Sequence, residues 1–182
     1  EVSWTEADEP RSARWRAESG APAPKRVVVA DDRITADAAY RLASEGTALL
    51  WRGDFQNARQ LLQAIARRID RKPRKAAASP IEAFNFHRQA QSQRARSLGM
   101  LLVPLEADFS IPLRRAPNVK EACAEAYGAG EAPSVVSLRE LLGVIGAHEW
   151  RKNGVEVPAL GVRIHPHYGV FSPVRGEYVG LV

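Results

Sequence analysis

The spacing of apolar residues predicts that helices form most of this chain. From position 55 to position 69, Phe, Ala, Leu and Ile recur every three or four residues, which places them on one face of a helix. A side chain that can accept hydrogen bonds from a first helical turn precedes this segment and four others. Five helices are therefore predicted, and their capping residues are Thr35, Asp54, Ser79, Asn118 and Ser137.

Local signals also predict details of the helix ends. Gly46, Gly128 and Gly154 follow three of the predicted helices, at positions where glycine is favoured. Two helices are expected to begin with a capping box, in which a glutamate three residues after the cap binds back to it. The two pairs are Ser79 with Glu82 and Ser137 with Glu140.

Strand signals are shorter than the helical ones. The β-branched run 27–29 predicts a strand, residues 47–51 and 100–105 are candidates for extended chain, and the chain after Pro158 is strand-like. The sum predicts an α+β fold that is mainly α. It consists of a helical N-terminal domain of four to five helices, followed by a small C-terminal β-hairpin.

The composition along the chain divides it into three parts. Residues 1–24 mix charge with Ser, Gly and Pro, which predicts a flexible arm, although Trp4 and Trp15 indicate that part of it docks on the body. Residues 25–161 hold the predicted helices. Residues 162–182 hold the predicted β-hairpin and a linker.

Length and composition limit the class of protein. The chain has 182 residues, 45% of them hydrophobic, and a mean hydropathy of -0.29, which fits one domain with an ordinary core. It contains neither an apolar run of about 20 residues nor an apolar signal-peptide core at its start, so no membrane association is expected. The lone Cys123 excludes an internal disulfide. We therefore expect a cytoplasmic protein.

Basic residues are concentrated in residues 67–75, RRIDRKPRK. Six cations stand there against one acid, Asp70, and such a cluster attracts phosphate groups. The alternative interpretation is a solvated helix end, because cations at a helix C-terminus complement the helix dipole. The cations are Arg67, Arg68, Arg71, Lys72, Arg74 and Lys75.

Other patterns suggest chemistry less strongly. Asp31 and Asp32 follow a predicted strand, as in phosphoacceptor receiver domains, but the later strands of a receiver do not follow, so a turn and cap are expected. His165 and His167 share one face of an extended segment, but no third metal ligand accompanies them. No nucleophile elbow, phosphate-binding loop or dinucleotide fingerprint occurs. No catalytic residue and no metal site is predicted.

The C-terminal residues resemble a known junction. Arg175, Glu177 and the closing Leu181-Val182 match positions of Pro-Arg-Pro-Glu-Thr-Glu-x-Leu-Val, the sequence that precedes the cofactor domain in release-factor glutamine methyltransferases. The segments LLWRGDFQNARQLLQAIARR, FHRQAQSQRAR, IPLRRAPNV, GAHEWRKNGVEVPAL and HPHYGVFSPVRGEYV extend the likeness. Over its whole length the chain resembles the N-terminal part of bacterial class I methyltransferases of the "methyltransferase small" type.

This resemblance implies that residues 25–161 recognise a protein or nucleic-acid substrate for an S-adenosylmethionine-dependent methyltransferase. The partner of this domain would be its own C-terminal catalytic domain, absent here, so these residues alone are expected to bind no cofactor and to be inactive. Arg175 and Glu177 would order the mouth of the cofactor site, or else pair with each other or cap the following helix. The candidate substrate-binding residues are Arg67, Arg68, Arg71, Lys72, Arg74, Lys75, Arg114, Arg115, His165, His167 and Tyr168.

Two alternatives remain open on sequence. A free-standing helical nucleic-acid-binding module would use the basic cluster and the polar segment 88–97. A purely structural interaction domain would use the apolar end, Leu181-Val182, to pack on a partner.

Overall fold

Six strands form one sheet in the computed structural model, which describes residues 1–71, 73, 76–158 and 161–170. The order across the sheet is β1-β2-β6-β5-β4-β3. Strand β1 also lies beside β3, so the sheet is nearly closed. The strands are β1 (Val2–Glu6), β2 (Glu9–Arg16), β3 (Arg26–Ala30), β4 (Thr47–Trp51), β5 (Leu101–Leu105) and β6 (Ser134–Ser137).

The sheet is mixed. Strands β3, β4 and β5 run parallel to one another, and β2 runs parallel to β6. The pairs β1–β2 and β5–β6 are antiparallel. The turn between β1 and β2 places Ala7 and Asp8 at φ of 52° and 62°, the left-handed conformations that a two-residue hairpin loop requires.

Five helices connect or follow these strands. They are α1 (Ala36–Ser44), α2 (Phe55–Asp70), α3 (Pro80–Leu98), α4 (Lys120–Tyr127) and α5 (Leu138–Asn153). A separate antiparallel hairpin of β7 (Val155–Val157) and β8 (Val162–Ile164) follows α5.

Three predicted helix caps are confirmed by their hydrogen bonds. The side chains of Thr35, Asp54 and Ser79 accept from backbone N–H groups two or three residues later, at 3.2, 2.9 and 3.2 Å. Glu82 reaches back as a capping box predicts, but it accepts from the N–H of Ala78, the residue before the cap, at 2.7 Å. These interactions are local, so the sequence alone carries the signal.

Helix α4 starts one residue later than predicted, and α5 starts after Ser137 as predicted but without the expected capping bonds. Helix α4 begins after Val119, although the Asn118 side chain still accepts from the N–H of Lys120 at 3.2 Å. The second capping box does not form. The Ser137 hydroxyl is buried without a partner among the described residues, and Glu140 instead accepts from Tyr127 at 3.1 Å.

The predicted mainly helical fold is wrong, because the central element is a six-stranded mixed sheet. Two of its strands, β1 and β2, come from residues 1–24, for which an arm was expected. The chain also contains a hairpin near its C-terminus, but its first strand, β7, precedes residue 162.

Two hydrophobic clusters explain why the sheet curls. All six strands contribute to the smaller cluster, whose buried members are Val2, Ala48, Leu50, Leu102 and Val135. The alternate residues of β4, Leu49 and Trp51, belong to the larger cluster, which also contains residues of α1, α2, α4 and α5. Strand β4 is therefore buried on both faces, as expected for an interior parallel strand.

Candidate functional site

The predicted substrate-binding arginines lie at opposite ends of α2. Arg67, Arg68 and Arg71 are at its C-terminus, whereas Arg114 and Arg115 contact Asp54, its N-terminal cap. At 1.5 Å per residue, the thirteen positions from Asp54 to Arg67 span about 20 Å. These arginines therefore form two groups and not one patch.

The group at the N-terminal end of α2 is a structural clamp. Arg115 donates from Nε to Asp54 at 2.6 Å, and this contact lowers the pKa of the Asp54 carboxyl. The N–H of Asp54 donates to both oxygens of Asp32, at 3.1 and 3.2 Å, and Asn57 donates to the same carboxylate at 2.9 Å. Arg115 is therefore held in this network, whereas Arg114 contacts Asp54 only at 3.5 Å and its side chain is 83% exposed.

Two further carboxylates, those of Asp31 and Glu6, also have protein partners. Asp31, which follows β3, pairs with Arg33 at 2.9 Å, and Glu6 receives two hydrogen bonds from Arg52 at 2.8 and 2.6 Å. In the described part of the chain, no group of three His, Cys, Asp or Glu residues could hold a metal ion.

The group at the C-terminal end of α2 is more accessible. Arg68 is engaged, since its Nε donates to Asp37 at 2.6 Å. Arg67 and Arg71 are exposed, and no described carboxylate pairs with them. Lys72, Arg74 and Lys75 of the predicted cluster lie outside the described residues.

Helix α3 extends away from this end of α2. The Asp70 carboxylate, at the last residue of α2, accepts from Arg94 at 2.9 and 3.1 Å. Residues 80–93 therefore precede the contact, and at 1.5 Å per residue they extend about 20 Å from it. None of these fourteen side chains is buried; the buried residues of α3 are Ser97 and Leu98.

Apolar and cationic side chains share one face of this helix. Ile81, Phe84 and Arg88 are spaced by three and four residues, and we call these three residues the outer face of α3. Ile81 is 75% exposed and Phe84 60% exposed. The Arg88 guanidinium carbon lies 5.9 Å from the centroid of the Phe84 ring, within the range of a cation–π contact.

The net positive charge of the protein is confined to this region. Residues 67–98 contain nine Arg or Lys and two Asp or Glu, a net charge of +7, whereas the whole chain has a net charge of +5. The rest of the chain therefore has a net charge of −2. The one acid within α3, Glu82, accepts from the N–H of Ala78, and the exposed cations of α3 and of the end of α2 form a basic surface on an otherwise slightly acidic protein.

Sequence reasoning found the cations of this surface but missed its aromatic component. Residues 88–97 were expected to form a polar helix face, and the structure places them on α3. The exposure of Ile81 and Phe84 was not expected. The available signal was the absence of an apolar stripe along α3, which is unusual for a helix that packs on a core.

The remaining predicted residues lie near the C-terminal hairpin. The Nδ1 atom of His165 is 2.6 Å from the carbonyl oxygen of Arg151 at the end of α5, and His167 is exposed. Tyr168 packs against the larger core cluster, where burial raises the pKa of its hydroxyl. Arg175 and Glu177 lie outside the described residues. The two histidines and Tyr168 are therefore on a different element from the basic surface.

A buried cation is the main polar feature of the core. Arg16 lies between the rings of Phe109 and Tyr127, with its guanidinium carbon 5.1 and 5.2 Å from their centroids, and its Nε donates to Ser134 at 3.0 Å.

Burial raises the pKa of the nearby Cys123 thiol to about 11, so this cysteine is a poor nucleophile at neutral pH.

Comparison with known proteins does not assign a family. No protein-family model matches the chain, and no curated protein sequence matches it. None of the helices in the described residues combines the length and the apolar character needed to cross a membrane.

Proposed function

We propose that this chain is the substrate-recognition part of an S-adenosylmethionine-dependent methyltransferase, and that its substrate is a nucleic acid. The observation that carries the choice of nucleic acid is the concentration of a net charge of +7 in residues 67–98. Exposed arginines on a projecting helix can contact phosphates without breaking existing ion pairs. The methyltransferase assignment is supported by the resemblance of the C-terminal segment.

Substrate binding and cofactor binding would be carried out by two different domains. S-adenosylmethionine supplies an electrophilic methyl group, and methyl transfer depends mainly on positioning of the acceptor atom. The basic surface would hold the phosphate backbone, while a catalytic domain beyond the junction at Arg175 and Glu177 would bind the cofactor. His165, His167 and Tyr168 would lie between these two parts in sequence.

A direct binding measurement tests the nucleic-acid half of the proposal. Labelled oligonucleotides should bind residues 1–182 at about 50 mM salt, and the affinity should fall steeply by about 200 mM, because phosphate contacts release counterions. Undetectable binding at about 50 mM salt would contradict this half. A protein substrate, as in the release-factor enzymes, would then be the better interpretation.

Calorimetry tests the other half. Residues 1–182 alone should not bind S-adenosylmethionine. Micromolar affinity would show that the cofactor site is not confined to a separate catalytic domain. A second candidate function is a free-standing nucleic-acid-binding module, favoured by the extensive buried core within the described residues. The reading frame after Val182 distinguishes the two, since the methyltransferase proposal requires a glycine-rich cofactor loop there.

A further inference from the structure

We propose that the outer face of α3, together with the C-terminal end of α2, binds single-stranded nucleic acid, with a base stacked on Phe84 and phosphates held by Arg88 on α3 and by Arg67 and Arg71 on α2. This inference rests on the proposed function and specifies its substrate as a single strand. It follows from the exposure of Phe84 and from the charge around it.

The ring of Phe84 is available for stacking. Arg88 lies over the ring at 5.9 Å, and 60% of the side chain is still exposed. A base can therefore occupy ring surface that Arg88 leaves open, and the adjacent guanidinium can bind its phosphate. Aromatic side chains beside cations are the recurrent means of binding single strands, because every base has a stacking face. In a duplex the bases are already stacked and cannot reach this ring.

The dimensions of α3 suit a short strand. Fifteen residues separate Ile81 from Arg96, which is about 22 Å at 1.5 Å per residue. A stacked strand advances about 3.4 Å per nucleotide, so α3 spans about six nucleotides. The exposed amide of Gln91, seven residues after Phe84 and three after Arg88, lies on the same side of the helix and supplies a further hydrogen-bonding group.

Charge and area favour this occupant over a protein. The net charge of +7 in the sequence of residues 67–98 complements a polyanion. On α3 the exposed large hydrophobic residues among those described are Ile81 and Phe84. Two side chains are too few for a protein interface, which typically buries about 800 Å² on each partner.

The test compares variants at one exposed position by fluorescence anisotropy at about 50 mM salt. The probes are labelled eight-nucleotide oligo-U and oligo-dT and a duplex of the same length. Phe84→Ala should weaken single-strand binding about 5- to 160-fold, the range that corresponds to loss of one stacked base. Phe84→Trp should retain binding. Trp150→Ala, at a half-exposed aromatic on α5, is the matched control and should change nothing.

The outcomes separate this inference from the proposed function. If wild-type protein binds but Phe84→Ala binds equally well, or if the duplex binds as tightly as the single strand, stacking on Phe84 is refuted and phosphate binding stands. If the wild-type protein binds none of the three probes, both proposals fail. If Phe84→Ala instead dissociates a dimer in light scattering, the outer face contacts a second copy and the inference is overturned. Circular dichroism verifies that each variant is folded.

Discussion

Removing three exposed arginines should flatten the salt dependence of nucleic-acid binding. The test variant replaces Arg67, Arg71 and Arg88 by Gln. All three side chains are exposed, and no described carboxylate pairs with them, so the change should cost about 1–3 kcal/mol in total, from lost helix-dipole and cation–π contacts, and should leave the protein folded. Any loss of binding can then be assigned to the missing charges.

The magnitude follows from the number of contacts. Each phosphate contact to a single strand contributes about 0.7 to the slope of log affinity against log salt, so three contacts contribute about 2. Between about 50 and 200 mM salt, a fourfold change, these three contacts account for roughly a 20-fold loss of affinity. The variant should lack this part of the loss and should bind more weakly at the lower salt.

The assay is a titration of a labelled oligonucleotide at four or five salt concentrations. The control is the triple substitution of Lys25, Arg139 and Lys152 by Gln, which removes the same charge from exposed positions outside residues 67–98. If both triple variants reduce the slope equally, binding depends on net charge alone and the basic surface is not the site. If the first variant leaves the slope of log affinity against log salt unchanged, these three arginines do not contact phosphates.

Two further predictions concern the fold. The hydrogen bonds from Arg52 and Trp4 hold the pKa of Glu6 at about 2 instead of the ordinary 4.5, so their stabilisation is complete above pH 4.5 and is lost as the pH falls towards 2. Since the Glu6 and Arg52 side chains are about one-third exposed, the contribution is screened to about 1 kcal/mol, and Glu6→Gln should reduce stability at pH 7 by this amount while changing little at pH 2 in urea titrations. Gly130→Ala should destabilise the protein by about 1–3 kcal/mol, because a Cβ there would lie 1.9 Å from the carbonyl oxygen of Ala107. Its control, Gly143→Ala in the open interior of α5, should stabilise by about 0.5–1 kcal/mol, and equal melting temperatures for the two variants would contradict the packing at Gly130.

The helices of this fold could be predicted because their signals are local. Thr35, Asp54 and Ser79 each bind the turn that follows them, so the residues that define the helix start are adjacent in sequence. The second capping box failed for a tertiary reason. Glu140 is drawn to Tyr127 and to the N–H of Glu18, 122 residues away, and no local pattern reports such partners.

The strands were harder to predict because their partners are distant. Strand β6 has four residues, and it is held between β2, about 120 residues earlier, and β5. Strand β2 is mostly exposed and carries three arginines, so its sequence is typical of a polar arm. What makes it a strand is pairing with β1 and β6.

The same contrast holds for the site. The basic cluster could be found because its residues are consecutive, whereas the pairing of Arg115 with Asp54 joins positions 61 residues apart. The exposure of Phe84 depends on how far α3 extends beyond α2. That distance is set by tertiary contacts, so the missing apolar stripe of α3 indicates that the helix is exposed but not which of its residues extend beyond α2.

If the basic surface presents a nucleic acid for methylation, the intact enzyme should methylate nucleic acid through this surface. The protein encoded by the whole reading frame is incubated with radiolabelled S-adenosylmethionine and with RNA, DNA and protein fractions in turn. Radiolabelled methyl groups should be incorporated into a nucleic-acid fraction, and the triple substitution of Arg67, Arg71 and Arg88 should reduce this incorporation. Label confined to protein, or nucleic-acid label that this variant leaves unchanged, would contradict the proposed function.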